Sequence, residues 1–228
     1  MTAVEKFLAV ARAEIGYQEK RSNAQLDNPS ANAGSANYTK YARDLDAIPY
    51  FYNGKKQSFA WCDVYVDWCM VEAFGVELAL RLLCQPQKST GAGCTYSARF
   101  YQSAGRWFKT PEPGDQIFFT RDGSTSNHTG IVERVDGSTV YTIEGNTSPA
   151  YGVVANGGGV YRKSYPKTSQ LILGYGRPEW KIVPDTRTSR EIVQEAAGLA
   201  DHTMDYLAAY RWGQDLLDKL AAAIEKKG

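Results

Sequence analysis

What this chain has little of narrows it quickly. It carries four cysteines and two histidines in 228 residues. Cys62, Cys69, Cys84 and Cys94 form no CxxC pair and are too sparse for a disulfide framework, so free thiols are expected. With His128 and His202 they offer no zinc-ligand spacing, and HExxH, GxSxG and the phosphate-binding loop are absent, so neither a metal nor a cofactor is expected. Charge of one sign is missing too: 26 Lys+Arg against 25 Asp+Glu leaves +1. No block of five like charges occurs, which excludes the electrostatic footprint of a dedicated nucleic-acid binder. No run approaches the roughly 18 apolar residues that span a bilayer, because Glu72, Glu77 and Arg81 interrupt the longest candidates. Glu5 stands where a secretory signal would be basic, and no unbroken apolar stretch follows it, so no signal peptide is expected.

What is present is ordinary globular composition, 43% hydrophobic and 22% charged, at a length that suits one main domain and an appendage at about 150 residues per domain. Thr2 and Glu5 form a capping box, and Val4, Phe7, Leu8, Ala11 and Ile15 follow at helical spacing up to Gly16. Residues 18–60 lack a steady period and read as structured loop with a helical patch at Tyr38–Leu45. CDVYVDWCMVEAF, from Cys62 to Phe74, is apolar on most sides and ends at Gly75, which predicts a buried helix with a glycine cap. Further helices are expected at Val76–Cys84 and after a Thr95 cap.

Beyond Pro113-Gly114 the pattern changes to short β-rich runs at Gln116–Thr120, His128–Val135, Thr139–Glu144, Gly159–Lys163 and Leu171–Tyr175. Helices first and strands afterwards predict an α+β domain with an antiparallel sheet. From Thr188 the chain turns purely helical, and Gly198 and Gly213 divide it into three short amphipathic helices. The expected division is residues 1–182 and residues 186–228, the second a module for wall binding or self-association because so short a bundle has little core of its own.

The chemistry rests on few residues. A cysteine in the first turn of a buried helix feels the positive end of the helix dipole, which favours the thiolate. Cys62 holds that place, whereas Cys69, Cys84 and Cys94 read as small apolar fillers. A thiol nucleophile needs a base. His202 lies in a polar helical segment and reads as solvated. His128 opens the strand HTGIVERV, and the next strand, TVYTIEGN, ends in Glu144 and Asn146, either of which can accept a hydrogen bond from the imidazole and fix its tautomer.

FAWCDVYVDWC, PGDQIFF, NHTGIVERVDGSTVYTIEGNTS and GYGRPEW, in that order, resemble the CHAP family, cysteine- and histidine-dependent amidohydrolases and peptidases of the NlpC/P60 group. The resemblance spans about residues 1–182. It implies a papain-like fold in which Cys62 is the nucleophile, His128 the base, and Glu144 and Asn146 orienting residues. It further implies bacterial peptidoglycan as the partner, and amide cleavage either between the muramic acid lactyl group and L-Ala, the expected choice, or within the stem or bridge peptide. A catalytically silent wall-binding protein is the alternative outside enzymes. Without a signal peptide, the chain resembles phage endolysins held in the host cytoplasm until a holin admits them to the wall. The stretch YNGKKQSFAW lacks the acidic calcium loop of some relatives, so no calcium is expected there. It also has Trp61 where many relatives have Gln, which leaves the Cys62 amide, and by a guess Gln57, as oxyanion donors.

The hairpin carrying His128 and Glu144 poses a parity problem, since strand side chains alternate faces. A two-residue Asp136-Gly137 turn would separate the two residues. A three-residue loop, Val135-Asp136-Gly137, pairs Arg134 with Ser138 and sets His128 across from Glu144 with Asn146 on the same face. The odd-length loop is therefore expected, with the trio facing the start of the Cys62 helix.

Overall fold

The computed structural model describes residues 1–86, 88, 91–154, 156–185 and 187–226. Residues 4–183 form one compact unit, and residues 184–228 with 1–3 form another. In the larger unit the helices come first: α1 (Ala3–Ala13), α2 (Lys40–Asp46), α3 (Cys62–Phe74), α4 (Val76–Leu82) and α5 (Cys94–Ser103). The strands follow as β1 (Trp107–Phe108), β2 (Gln116–Thr120), β3 (Ser126–Asp136), β4 (Thr139–Thr147), β5 (Gly159–Pro166) and β6 (Ile172–Gly176). They make one antiparallel sheet in the order β1-β6-β2-β3-β4-β5. The domain is α+β, as its order of elements predicts.

Helix α3 organises the core. Every residue from Cys62 to Met70 is buried, which is why its sequence shows no amphipathic period. It packs with Phe118, Ile131 and Ile143 from one sheet face in the main core. The residues alternating with these, Ile117, Phe119, Val132 and Val140, join Tyr165 and Tyr175 in a smaller core on the other face. Two carboxylates one helical turn apart on α3 are buried and satisfied. Asp63 accepts from Ser97 Oγ (2.8 Å) and Gln116 Nε2 (3.0 Å), and Asp67 from Tyr52 Oη and Gln85 Nε2, both at 2.7 Å. These bonds fix α3 to α5, β2 and the loop at Tyr52 as well as compensating burial of the charge.

Two expectations change. Helix α5 begins at Cys94 behind a Gly93 cap rather than at a Thr95 cap, so Cys94 stands in a first helical turn. The β3–β4 hairpin does not have the odd-length loop: Asp136 pairs with Thr139, and Gly137 (φ 52°) and Ser138 form a two-residue turn. Parity is corrected inside the strand instead. Val135 faces Val140 and Arg134 faces Tyr141, but Val132 faces Thr142, so Glu133 is an extra residue in a bulge. The Glu133 carboxylate holds Arg12 Nε (2.8 Å) and Arg162 Nε (2.8 Å), which anchors the bulge from two sides.

The smaller unit contains α6 (Ser189–Ala197), α7 (Asp201–Ala209) and α8 (Gly213–Glu225). Thr188 and Glu191 close a capping box on α6, and Gly198 ends it in the left-handed region (φ 62°). Ile192, Val193, Met204, Leu217 and Ala221 form its core. Its His202 is exposed, as expected of a solvated residue.

Candidate active site

Beyond Ile131, which faces Ile143, Gly130 lies against Glu144. His128, Gly130 and Glu144 therefore share a face, and the pair meets diagonally across the glycine: His128 Nε2 lies 3.0 Å from Glu144 Oε2. Both side chains have no solvent exposure. Gly130 makes the contact possible, since a Cβ there would stand 2.5 Å from Glu144 Cγ. Gly130→Ala should destabilise the domain by about 1–3 kcal/mol through this overlap and push Glu144 off the imidazole. Urea unfolding measures the first effect, and a variant as stable as the parent would contradict the packing described.

Glu144 is fully occupied. Besides the imidazole it accepts from Thr142 Oγ1 (2.6 Å), two residues back on the same strand face, and from Tyr165 Oη (3.3 Å). A buried carboxylate with three partners is held in one place. Its charge, together with burial, pushes the Tyr165 hydroxyl far above the ordinary tyrosine range, burial being the larger cause. The ring of Phe119 stacks on His128 at 5.8 Å between centroids. With Nε2 directed at Glu144, Nδ1 is the other ring nitrogen, and it is buried without a hydrogen-bond partner.

Cys62 opens α3, and its sulfur accepts the Asp63 backbone N–H, as a helix start allows. Burial pushes the neighbouring Asp63 carboxyl up to about 6. The neighbouring Cys94 thiol first, and burial second, push Cys62 well above the ordinary thiol range, while Cys62 pulls Cys94 down. Such a pair of neighbouring thiols loses its second proton with difficulty once the first has gone. Cys94 Sγ also donates to the Ser126 carbonyl (3.4 Å), as does Thr95 Oγ1 (2.8 Å), and Ser126 Oγ donates to the His128 carbonyl (3.2 Å). The start of α5 thus meets β3 two residues before the histidine.

Asn146 binds the other side of the α3 start. It occupies the left-handed region (φ 54°), which asparagine tolerates better than most residues. Its amide donates to the Gly157 carbonyl (2.9 Å) and accepts the Trp61 backbone N–H (3.1 Å). Gly145 beside it lets α3 come close, for a Cβ would meet Tyr65 Cβ at 2.6 Å and Trp61 Cζ3 at 2.8 Å.

The four residues singled out in the sequence thus fall into two linked pairs, His128 with Glu144 and Asn146 with the residue preceding Cys62. No hydrogen bond joins Cys62 to His128, and alternation starts the His128 side chain on the face opposite Thr129 and Ile131, so the expectation that the whole trio faces α3 holds for Asn146 alone. Gln57 is not at the site: its amide is spent on the backbone N–H and carbonyl of Thr39 (2.9 and 3.0 Å) and on Asn23 (3.0 Å). Three contributors escaped the sequence reading. Cys94 reads in sequence as filler; Thr142 is legible from its i, i+2 relation to Glu144; Tyr165 comes from a strand whose register no local signal gives.

A cysteine at the start of a buried helix, beside an antiparallel sheet that carries a histidine and its carboxylate, belongs to the papain-like class of α+β architectures. Residues 54–146, which include Cys62, Cys94, His128, Glu144 and Asn146, match the family model of the CHAP domain. Over those residues the chain is similar to a domain type of cysteine- and histidine-dependent hydrolases associated with peptidoglycan amide cleavage. Among solved structures it is similar to one described as the crystal structure of Ly7917, with 15% identity over 79% of this chain and 63% of that chain and a TM-score of 0.40. That likeness is too distant to bear on function. No curated protein matches the chain. Among the described residues, no helix is long and apolar enough to cross a membrane.

Proposed function

We propose that this chain is a peptidoglycan hydrolase of the endolysin type, cleaving the amide between the muramic acid lactyl group and L-Ala. The observation that supports this reading most is the pairing of a buried, oriented His128–Glu144 couple with a cysteine at a helix start whose preceding amide is fixed by Asn146. The Cys62 thiolate attacks the wall carbonyl, and the oxyanion forms against the amides at the α3 N-terminus, Cys62 N–H among them. Glu144 holds Nε2 of His128, so Nδ1 is the nitrogen that takes the thiol proton and returns it to the leaving amine. Water then releases the acyl group from Cys62. This requires the Cys62 sulfur and the His128 imidazole, which share no hydrogen bond in the resting structure, to come within hydrogen-bond reach of each other.

Mass spectrometry of digested, purified walls tests the reading. Free L-Ala amino ends are expected. New amino ends only inside the stem or bridge would make the enzyme an endopeptidase, and no new ends would favour a silent wall-binding protein, a reading that the missing Cys62–His128 bond would then support.

A further inference from the structure

An open cavity of about 260 Å³ lies where the loop after β4 meets the β4–β5 ladder, and neither Cys62 nor His128 lines it. Tyr141 and Ser164, cross-strand partners on β4 and β5, line it with Arg162, Lys163 and the loop residues Ala150 and Tyr151. Its lining holds two cations and no acid. A third cation stands beside it, for the Arg134 guanidinium lies over the Tyr141 ring, 3.3 Å from its centroid.

The loop is fastened to the active site at its neck. The Gly157 N–H donates to the Asn146 carbonyl (2.8 Å), and the Asn146 side-chain amide donates to the Gly157 carbonyl (2.9 Å) while accepting from Trp61, the residue before Cys62. Lys163 holds the loop further along, where Nζ donates to the carbonyls of Ser148 (2.9 Å) and Ala150. Lys163 is only 8% exposed, and both these partners are neutral. Burial lowers its ammonium from the ordinary lysine range, with the charge of Glu144 working against that. A buried ammonium without a bonded anion is held at a cost that an anion relieves, and the loop carbonyls take two of its three protons. Arg162 spends Nε and Nη2 on Glu133 (2.8 and 2.9 Å), which leaves Nη1 as a second donor.

We infer that this cavity is a second binding subsite for the wall, taking a carboxylate of the stem peptide at Lys163 and Arg162 between the aromatic walls of Tyr141 and Tyr151. Resting on peptidoglycan as the substrate, this gives the enzyme a hold on the polymer outside the reacting centre. Tyr141 stands three residues from Glu144, about 10 Å along the strand, so one substrate chain can engage both places. A contact made equally in ground and transition states lowers KM and leaves kcat alone.

Isothermal titration calorimetry on the full chain carrying Cys62→Ala measures binding without turnover. The probes are a purified disaccharide pentapeptide, which bears carboxylates, and chitotetraose, a neutral N-acetylated sugar. The disaccharide pentapeptide is expected to bind, and chitotetraose to bind about tenfold more weakly or not at all. Lys163→Gln, which keeps donors for the loop carbonyls and removes the charge, should weaken the first probe by about tenfold or more. Tyr151 is 95% exposed, so Tyr151→Ala cannot act through the fold and should weaken it by about three- to tenfold. Ser164→Trp, at an exposed strand position, fills the cavity and should abolish the dependence on Lys163. With Cys62 restored, the same three substitutions should raise KM on walls at unchanged kcat. No binding of the disaccharide pentapeptide, equal binding of chitotetraose, or affinity and KM unchanged in Tyr151→Ala and Ser164→Trp would overturn the inference. Binding that depends on the cavity in a chain that cuts no wall would contradict the proposed function and leave the subsite standing.

Discussion

Cys62→Ala is expected to lower wall-amide cleavage by about 10⁴-fold or more while the domain stays folded, because removing a covalent nucleophile removes the step that every later one depends on. The substitution is mild for the fold: the side chain is small and sits in a first helical turn. Cys69→Ala is the informative control. Cys69 is wholly buried seven residues further along the same helix, so its loss should cost about 1 kcal/mol of stability and little activity. The measurement is turbidity loss of a wall suspension by purified variants whose near-ultraviolet circular dichroism matches the parent. Lysis surviving in folded Cys62→Ala would contradict the mechanism.

The second large effect concerns the couple on the sheet. His128→Ala should lower turnover by about 10²–10⁴-fold, the range that a positioned general acid–base contributes. It also strands Glu144, and breaking a buried pair by removing one partner costs about 3–5 kcal/mol, so loss of fold could mimic loss of base. Glu144→Gln separates the two. The amide can keep bonds to the imidazole, Thr142 and Tyr165, so the fold should persist, while the charge that stabilises the imidazolium is gone. A fall in kcat with unchanged KM and an unfolding midpoint near the parent's is the expected result. Full activity in Glu144→Gln would show that the carboxylate charge is not needed for turnover and leave residue 144 a positioning role alone.

Much of this was legible because burial writes itself into pattern. The limits of α3, Cys62 to Phe74 with Gly75 beyond, follow from an apolar run closed by glycine, and β2 from a run without polar interruption. The His128–Glu144 pairing was anticipated, but by a route the chain does not take. The turn has two residues, and the bulge at Glu133 restores parity, a device that depends on Arg12 and Arg162 from elements far away in sequence. Cys94 was illegible for a similar reason. Its importance lies in where α5 starts relative to α3, a long-range placement made by Asp63, Ser97 and Gln116, and periodicity carries no information about which helix starts meet. The two-residue β1 is too short to show any period.

Because Cys62 and Cys94 both stand in first helical turns, the most direct test asks which sulfur carries the acyl group. Purified chain is mixed with soluble wall fragments, quenched in acid during the first turnover, and digested for peptide mass spectrometry. A thioester on the peptide containing Cys62, appearing and decaying at the rate of turnover, is the predicted result. An adduct on Cys94, or turnover with no adduct on either sulfur, would contradict the account.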